Sequence, residues 1–127
     1  MYYKSKIYQI NSLRLGLVHE ENLYGKPTIF FTCASQDSIT KEKVKKYINL
    51  FDQKKINLVA LPYNHNGSEP GDDHDIYSYY ENFLGISFYV AEKMESDHKF
   101  FLDFGIPTQN FTEYHFDKKN KFIGKYE

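Results

Sequence analysis

The pattern of apolar and polar positions changes its period along the first half of the chain. Residues 6–10 and 13–18 alternate apolar and polar side chains around a turn, which predicts a short β-hairpin. Residues 28–34 form a nearly continuous apolar run, as is typical of a strand buried on both faces. Residues 41–54 place apolar side chains on one helical face, and residues 56–61 form a second apolar run. This order predicts a βαβ unit with a right-handed crossover and parallel strands at the centre of a sheet.

The second half of the chain predicts a helix and three further strands. Turn-forming residues crowd positions 62–71, which we expect to form a surface loop. Apolar positions at helical spacing predict a helix over 76–84, and a strand follows at 86–90. Residues 111–116 and 121–126 flank a polar turn and predict an antiparallel hairpin. The whole pattern indicates an α/β fold with a mixed sheet flanked by helices.

Length and composition favour one compact unit. A chain of 127 residues fits a single domain covering positions 1–127, and no repeat or linker divides it. The apolar fraction is unusually aromatic, because the chain has 12 Tyr and 11 Phe and no Trp. We therefore expect a core built largely from aromatic rings.

Charge and cysteine content narrow the expected location and partners. The net charge of -1 gives no reason to expect binding to nucleic acid, which depends on clustered cations. No run approaches the roughly 18 apolar residues of a membrane span, and the first residues lack the apolar segment of a signal peptide. The single cysteine, Cys33, cannot form an internal disulfide. We expect a cytoplasmic protein with no nucleic-acid or membrane partner.

Short motifs stand where the pattern predicts loops and strand ends. Residues 24–26 read Tyr-Gly-Lys, and residues 34–40 read Ala-Ser-Gln-Asp-Ser-Ile-Thr. Residues 61–71 read Leu-Pro-Tyr-Asn-His-Asn-Gly-Ser-Glu-Pro-Gly, and residues 109–114 read Gln-Asn-Phe-Thr-Glu-Tyr. In this order they resemble motifs of the glutathione peroxidase family, over nearly the whole chain. The resemblance implies a thioredoxin-like fold of the glutathione peroxidase type. The usual C-terminal helix is not expected, because the sequence ends just after the last predicted strand.

The resemblance also marks the positions at which this chain departs from the family. Asp37 stands where the family keeps its peroxidatic cysteine, and His65 stands where it keeps a catalytic glutamine. Gln109 replaces the family's tryptophan, whereas Asn110 matches its asparagine. No cysteine lies near Glu81, where a resolving cysteine would fall. In the family these four positions, 37, 65, 109 and 110, converge on one pocket.

These departures remove the chemistry of a thiol peroxidase. The family's reaction begins with attack of a thiolate on the peroxide, and the carboxylate of Asp37 has no atom that can be oxidised in this way. We therefore predict a glutathione peroxidase-like pseudoenzyme associated with oxidative stress, with no catalytic residue, cofactor or metal, that functions by binding. Two alternatives remain open: peroxide handling through Cys33 or a partner's thiol, and a small-ligand or metal site at Asp37 and His65.

Several other features suggest partners or have simple structural explanations. The ring-rich segments 77–80 and 99–104 could form a partner-facing patch, and an uncovered sheet face would expose apolar area that favours a homodimer or a protein partner. The acidic stretch 69–75 reads as a solvated loop that caps the following helix. The scattered histidines, including His98 and His115, are expected on the surface or hydrogen-bonded in the core.

Overall fold

The computed structural model of the protein describes residues 8–12, 16–33, 38–63, 89–92, 94–108 and 111–126. The helix predicted at 76–84 and the acidic stretch 69–75 lie outside these residues. The described elements, in chain order, are β1 (Gln9–Ser12), β2 (Gly16–His19), α1 (Glu20–Leu23), β3 (Thr28–Cys33), α2 (Ser38–Asp52), β4 (Asn57–Pro62), β5 (Tyr89–Val90), α3 (Lys99–Phe104), β6 (Thr112–Phe116) and β7 (Phe122–Tyr126).

Five of the described strands form one mixed sheet in the order β5-β4-β3-β6-β7. Strand β3 runs parallel to β4, which in turn runs parallel to β5. On the other side β3 pairs antiparallel with β6, and β6 pairs antiparallel with β7. Strands β1 and β2 form a separate antiparallel pair. The predicted βαβ unit and terminal hairpin are confirmed, with parallel strands at the centre.

Helix α2 connects the two central strands and begins earlier than the periodicity predicts, at Ser38 rather than near residue 41. Its end is a Schellman motif, because the Lys54 amide donates to the Phe51 carbonyl at 2.8 Å and the Lys55 amide to the Leu50 carbonyl at 2.9 Å. Lys54 has a positive φ of 61° and occupies the position usually taken by glycine. The helix therefore stops without a glycine.

The sheet buries an apolar cluster on each face, and the alternation along β3 separates them. Ile29 and Phe31 point towards α2, and Phe30 points to the opposite face. The cluster opposite α2 is aromatic, as composition predicts: Phe100 packs against Phe30 and Tyr114 with ring centroids 4.9 Å and 5.1 Å apart. Its buried rings are Tyr8, Phe30, Tyr63, Phe100, Phe101, Tyr114 and Phe116.

Helix α3 shows that part of the expected partner-facing patch is core instead. Phe100 and Phe101 are fully buried and Phe104 is half-buried, so the rings of segment 99–104 pack beneath the sheet, whereas Leu102 is 63% exposed. The helix begins at the side chain of His98, whose Nδ1 accepts a hydrogen bond from the Phe100 amide at 3.1 Å. The segment is thus fixed by packing and by an N-terminal cap. Residues 77–80, the other predicted part of the patch, lie outside the described residues.

Candidate functional site

The carboxyl edge of the parallel strands is where the chain gathers the segments that carry the predicted site. Cys33 ends β3 and is paired with Pro62, which ends β4. Because β6 is antiparallel to β3, its first residue, Thr112, lies beside Thr32 at the same edge. In open α/β sheets, ligands bind at this edge of the parallel strands.

The four residues predicted to form the site, Asp37, His65, Gln109 and Asn110, lie outside the described residues. Their nearest described neighbours in sequence can still be placed. Asp37 follows Cys33, His65 follows Tyr63, and Asn110 immediately precedes Phe111. Those three neighbours belong to or adjoin the strand ends that meet at the carboxyl edge. The convergence of the four predicted residues stays a prediction.

The described part of this edge is a closely packed frame. The Thr112 amide donates to Oγ1 of Thr32 at 3.1 Å, and both threonines are fully buried. The rings of Phe31 and Phe111 stack with centroids 5.8 Å apart. Tyr63 is nearly buried and meets the edge of the Phe101 ring at 5.1 Å. Buried polar groups that are hydrogen-bonded in this way hold the strand ends in a fixed register.

Cys33 occupies the last position of β3. The sequence from there to the first residue of α2 is Ala-Ser-Gln-Asp, and no second cysteine exists anywhere in the chain. A dithiol within this chain is therefore impossible. In the part of the chain that the structure describes, no group of three or more His, Cys, Asp or Glu side chains is placed to hold a metal ion.

A polar network that sequence reasoning missed lies on the α2 side of the sheet. The Tyr47 hydroxyl, on α2, donates a hydrogen bond to Oε1 of Glu113 on β6. Nε2 of His115 lies 2.8 Å from the same oxygen. Glu113 and His115 are opposite Phe31 and Ile29 in the register with β3, so both side chains face α2. His115 is therefore hydrogen-bonded, which agrees with the expectation that the scattered histidines lie on the surface or are hydrogen-bonded in the core.

The electrostatics of this network favour an ionised Glu113. Burial alone raises the pKa of Glu113, but the hydrogen bonds from His115 and Tyr47, together with the charge of Lys46, outweigh it and lower the pKa. The pKa of Tyr47 is raised far above its ordinary range, first by burial and then by its hydrogen bond to the Glu113 carboxylate and by that charge. Tyr47 is thus a fixed donor to a fixed anion.

The surroundings of the network are aromatic and partly open. The ring of Tyr126, which is 50% exposed, meets His115 edge-on with centroids 4.9 Å apart. Nζ of Lys46 lies 4.8 Å from the centre of the Tyr47 ring, a cation–π contact. One carboxylate oxygen accepts from two donors, and neither a serine nor a cysteine joins them among the described residues. The arrangement ties α2 to the sheet and lacks the nucleophile of a catalytic triad.

His98, which lies outside this network, has a shifted pKa. Burial lowers its pKa, and the charge of Asp97 opposes that effect in part. A neutral imidazole suits its position, because Nδ1 must keep a lone pair to accept from the Phe100 amide. The role of His98 is to cap α3.

No protein-family model matches this sequence, and no curated protein matches it either. Solved structures do. A thioredoxin-like protein from Aeropyrum pernix is 11% identical with a TM-score of 0.74, over 94% of this chain and 80% of its own. The exposed lipoprotein thioredoxin Etrx1 of Streptococcus pneumoniae is 15% identical with a TM-score of 0.67, over 94% and 87%. A secreted Mycobacterium tuberculosis disulfide oxidoreductase is 10% identical with a TM-score of 0.66, over 92% and 81%.

These likenesses, at such low identity, establish the fold. The chain has a thioredoxin-like α/β fold with a mixed sheet, which confirms the coarser part of the prediction. They do not distinguish the glutathione peroxidase type from other thioredoxin-like proteins. Among the described residues no helix is both long enough and apolar enough to cross a membrane.

Proposed function

We propose that this chain is a non-catalytic thioredoxin-like protein of the glutathione peroxidase type, which functions by binding. The observation that carries the proposal is the position of its single cysteine. Cys33 is the last residue of β3, whereas the four residues that lead into α2 contain no thiol. A helix N-terminus lowers the pKa of a cysteine placed there and so makes a reactive thiolate. The residue that precedes α2 is instead Asp37.

The chemistry of thiol peroxidases and of disulfide oxidoreductases supports the same proposal. Thiol peroxidases form a sulfenic acid that a second thiol then reduces, and thiol–disulfide exchange within one chain needs two cysteines. This chain supplies one cysteine in total. A disulfide oxidoreductase activity like that named for the Mycobacterium tuberculosis neighbour would therefore require a thiol from another molecule. A cytoplasmic location and an association with oxidative stress belong to this proposal.

A peroxidase assay coupled to glutathione or to thioredoxin tests the absence of catalysis. We expect no turnover of hydrogen peroxide above the rate without protein, for the wild type and for the matched Cys33→Ser variant alike. Turnover by the wild type that disappears in Cys33→Ser would overturn the proposal and support peroxide handling through Cys33. The variant Asp37→Cys adds a sharper test. We expect it to stay inactive, because His65 and Gln109 differ from the family's residues as well.

A small-ligand or metal site at Asp37 and His65 is the second candidate, and one observation favours it. The strand ends from which these two segments start lie beside each other in the register of β3 and β4. A carboxylate and an imidazole are ligands that suit zinc. Metal analysis of untagged protein and thermal shift with added zinc test this candidate. Absence of bound metal with no shift, in the wild type and in His65→Ala, would exclude a zinc site there.

Self-association, which the sequence predicts at an uncovered sheet face, is a further part of the proposal, here through an outer strand. Strand β7 is one of the two outer strands of the described sheet, the other being β5, and it exposes Ile123 and Tyr126. Outer strands with exposed apolar side chains can pair with another chain. Light scattering at micromolar protein concentration measures the oligomeric state directly. We expect a homodimer, and a strict monomer would exclude this part of the proposal.

A further inference from the structure

The opposite edge of the sheet, where β3 and β4 begin, joins three connections into one surface. These are residues 24–27, 53–56 and 117–121. The Gly25 amide donates to the Lys118 carbonyl at 2.8 Å, which links the first connection to the third. The Asn57 amide donates to the Pro27 carbonyl at 2.8 Å, which joins the first connection to the start of β4, directly after the second. The three connections therefore lie side by side on one surface.

This surface concentrates positive charge, and we call its lysines the basic edge. Two aspartates lie among them, Asp52 and Asp117. The Asp117 carboxylate already accepts from the amides of Lys121 and Lys119, at 2.9 Å and 2.8 Å. These backbone bonds lower its pKa, and the charges of Lys121 and Lys119 lower it further. Five of the lysines are exposed and Lys26 is half-buried, and in the described residues none forms an ion pair. The basic edge consists of Lys26, Lys54, Lys55, Lys118, Lys119 and Lys121.

Acidic side chains lie at the other end of the strands. Glu92, Glu95 and Asp97 follow β5 at the carboxyl edge, and all three are exposed. The net charge of -1 for the whole chain therefore conceals an excess of positive charge at the basic edge, where six lysines lie beside two aspartates. A field of one sign over one surface attracts partners of the opposite sign, whatever the net charge.

An exposed aromatic ring lies within the basic edge. Tyr24 is 65% exposed in the connection that the other two flank. Lysines beside an exposed aromatic ring are the combination that side chains at a lipid–water interface present.

The residue types of the basic edge favour a lipid surface over other anions. All six cations are lysines, which carry a compact charge and lack the guanidinium fork with which arginine binds a single phosphate at two points. Lysine is also depleted at the centres of protein–protein interfaces. Clusters of four to eight basic residues suit the diffuse negative charge of anionic phospholipids. We propose that the basic edge docks this protein onto membranes that contain anionic phospholipids. The proposal is independent of the proposed function, because it uses the opposite edge of the sheet.

Flotation with lipid vesicles tests the proposal on the full chain. We expect binding to vesicles of phosphatidylcholine with about 30% phosphatidylserine at about 0.05 M salt, none to pure phosphatidylcholine, and loss of binding at about 0.5 M salt. The variant Lys118→Gln/Lys119→Gln should weaken the affinity about 25-fold, since each lysine near the surface contributes roughly fivefold. A matched control, Lys45→Gln/Lys99→Gln, has the same net charge but lies outside the basic edge, and it should bind like the wild type.

Three results would overturn the proposal. The first is no binding to anionic vesicles at low salt by the wild type. The second is an equal loss of binding in the control pair, which would mean that net charge alone matters. The third is tighter binding to a single-stranded oligonucleotide than to the vesicles under the same conditions, which would identify nucleic acid as the partner. The variant Lys54→Gln/Lys55→Gln repeats the test on a different connection, and it should show the same loss as the first variant.

Discussion

The network of Tyr47, Glu113 and His115 gives the most informative test of how the helix is fixed to the sheet. Glu113→Gln keeps the shape and one oxygen acceptor but removes the charge that both neighbours stabilise. Hydrogen bonds to a charged group contribute about 1.5–3 kcal/mol each in general. The expected loss is smaller than the sum of two such bonds for two reasons. The side chain of Glu113 is 15% exposed, so solvent screens its charge in part, and the glutamine oxygen of the variant still accepts one hydrogen bond. We expect a loss of about 1–2 kcal/mol in the free energy of unfolding at pH 7.

The pH dependence of that loss has a definite sign. The folded-state pKa of Glu113 lies below its unfolded value, so the folded state favours the ionised form. The contribution is fully present above the ordinary glutamate pKa of about 4.3, and it is lost as the pH falls through the lower folded-state value. Urea unfolding followed by far-UV circular dichroism, at pH 7 and at several values below 4, measures it. The difference between wild type and Glu113→Gln should shrink as the pH falls.

A double-mutant cycle with Tyr47→Phe separates the hydrogen bond from other effects of each substitution. We expect a coupling energy of about 1 kcal/mol between Tyr47 and Glu113 at pH 7. Glu95→Gln is the matched control, because Glu95 is exposed, and it should change stability by less than about 0.5 kcal/mol. The reasoning would be refuted by a Glu113→Gln variant as stable as the wild type, or by a destabilisation that does not change between pH 7 and pH 3.

Two further substitutions test the core and the end of α2 by urea unfolding. Phe100→Ala should lower the free energy of unfolding by about 3–5 kcal/mol, because the buried ring packs against Phe30 on β3 and Tyr114 on β6. Leu102→Ala, at an exposed position on the same helix, should lower it by less than about 0.5 kcal/mol. Equal losses would contradict the orientation of α3. Lys54→Gly should raise the free energy of unfolding by about 0.5–1 kcal/mol, because glycine adopts the positive φ without strain. Lys55→Gly, at a position without a positive φ, should lower it, and the reverse order would contradict the Schellman motif.

The central sheet could be predicted because its signals are local and mutually consistent. The change from an apolar run to helical spacing and back marks β3, α2 and β4 within a few residues of their observed bounds. The turn formed by Asp117 and Asn120 is similar: Asp117 accepts two backbone amides, and Asn120 tolerates a φ of 63°. Turn-forming residues such as these, between two apolar runs, predict a hairpin from the sequence alone.

Helix α3 and the register of the first hairpin depend on contacts that are distant in sequence. A helix of six residues has little stability of its own, so α3 forms because Phe100 and Phe101 are buried against the sheet. Its cap is His98, a residue type that rarely signals a helix start. In the hairpin, Asn11 and Ser12 were predicted to form the turn, but they pair with Leu17 and Gly16 inside the strands. Cross-strand pairing there overrides the turn preference of the two residues.

The polar network could not be predicted for the same reason. Glu113 and His115 have the spacing of two residues on one face of a strand, and Tyr47 lies on the apolar face of the predicted helix. Only the order β4-β3-β6 places that face of β6 beside α2. The roles of Asp37 and His65 remain predictions. The sequence motifs identify these residues, and the structure places only the ends of β3 and β4 that precede them in the chain.

Charge shows most clearly what topology adds to sequence. Summed over the chain, the charges of lysines and acids nearly cancel, and that sum gave no reason to expect nucleic acid as a partner. Once the strand directions are known, six lysines lie before β3 and β4 and in the β6–β7 turn, with Asp52 and Asp117 among them. Three acids, Glu92, Glu95 and Asp97, lie after β5, together with Lys99. A strand of six residues is about 20 Å long, which is about twice the screening distance at 0.1 M salt. The two edges therefore act independently. Docking on lipid by the basic edge would leave the carboxyl edge, with the predicted pocket, facing away from the membrane and accessible.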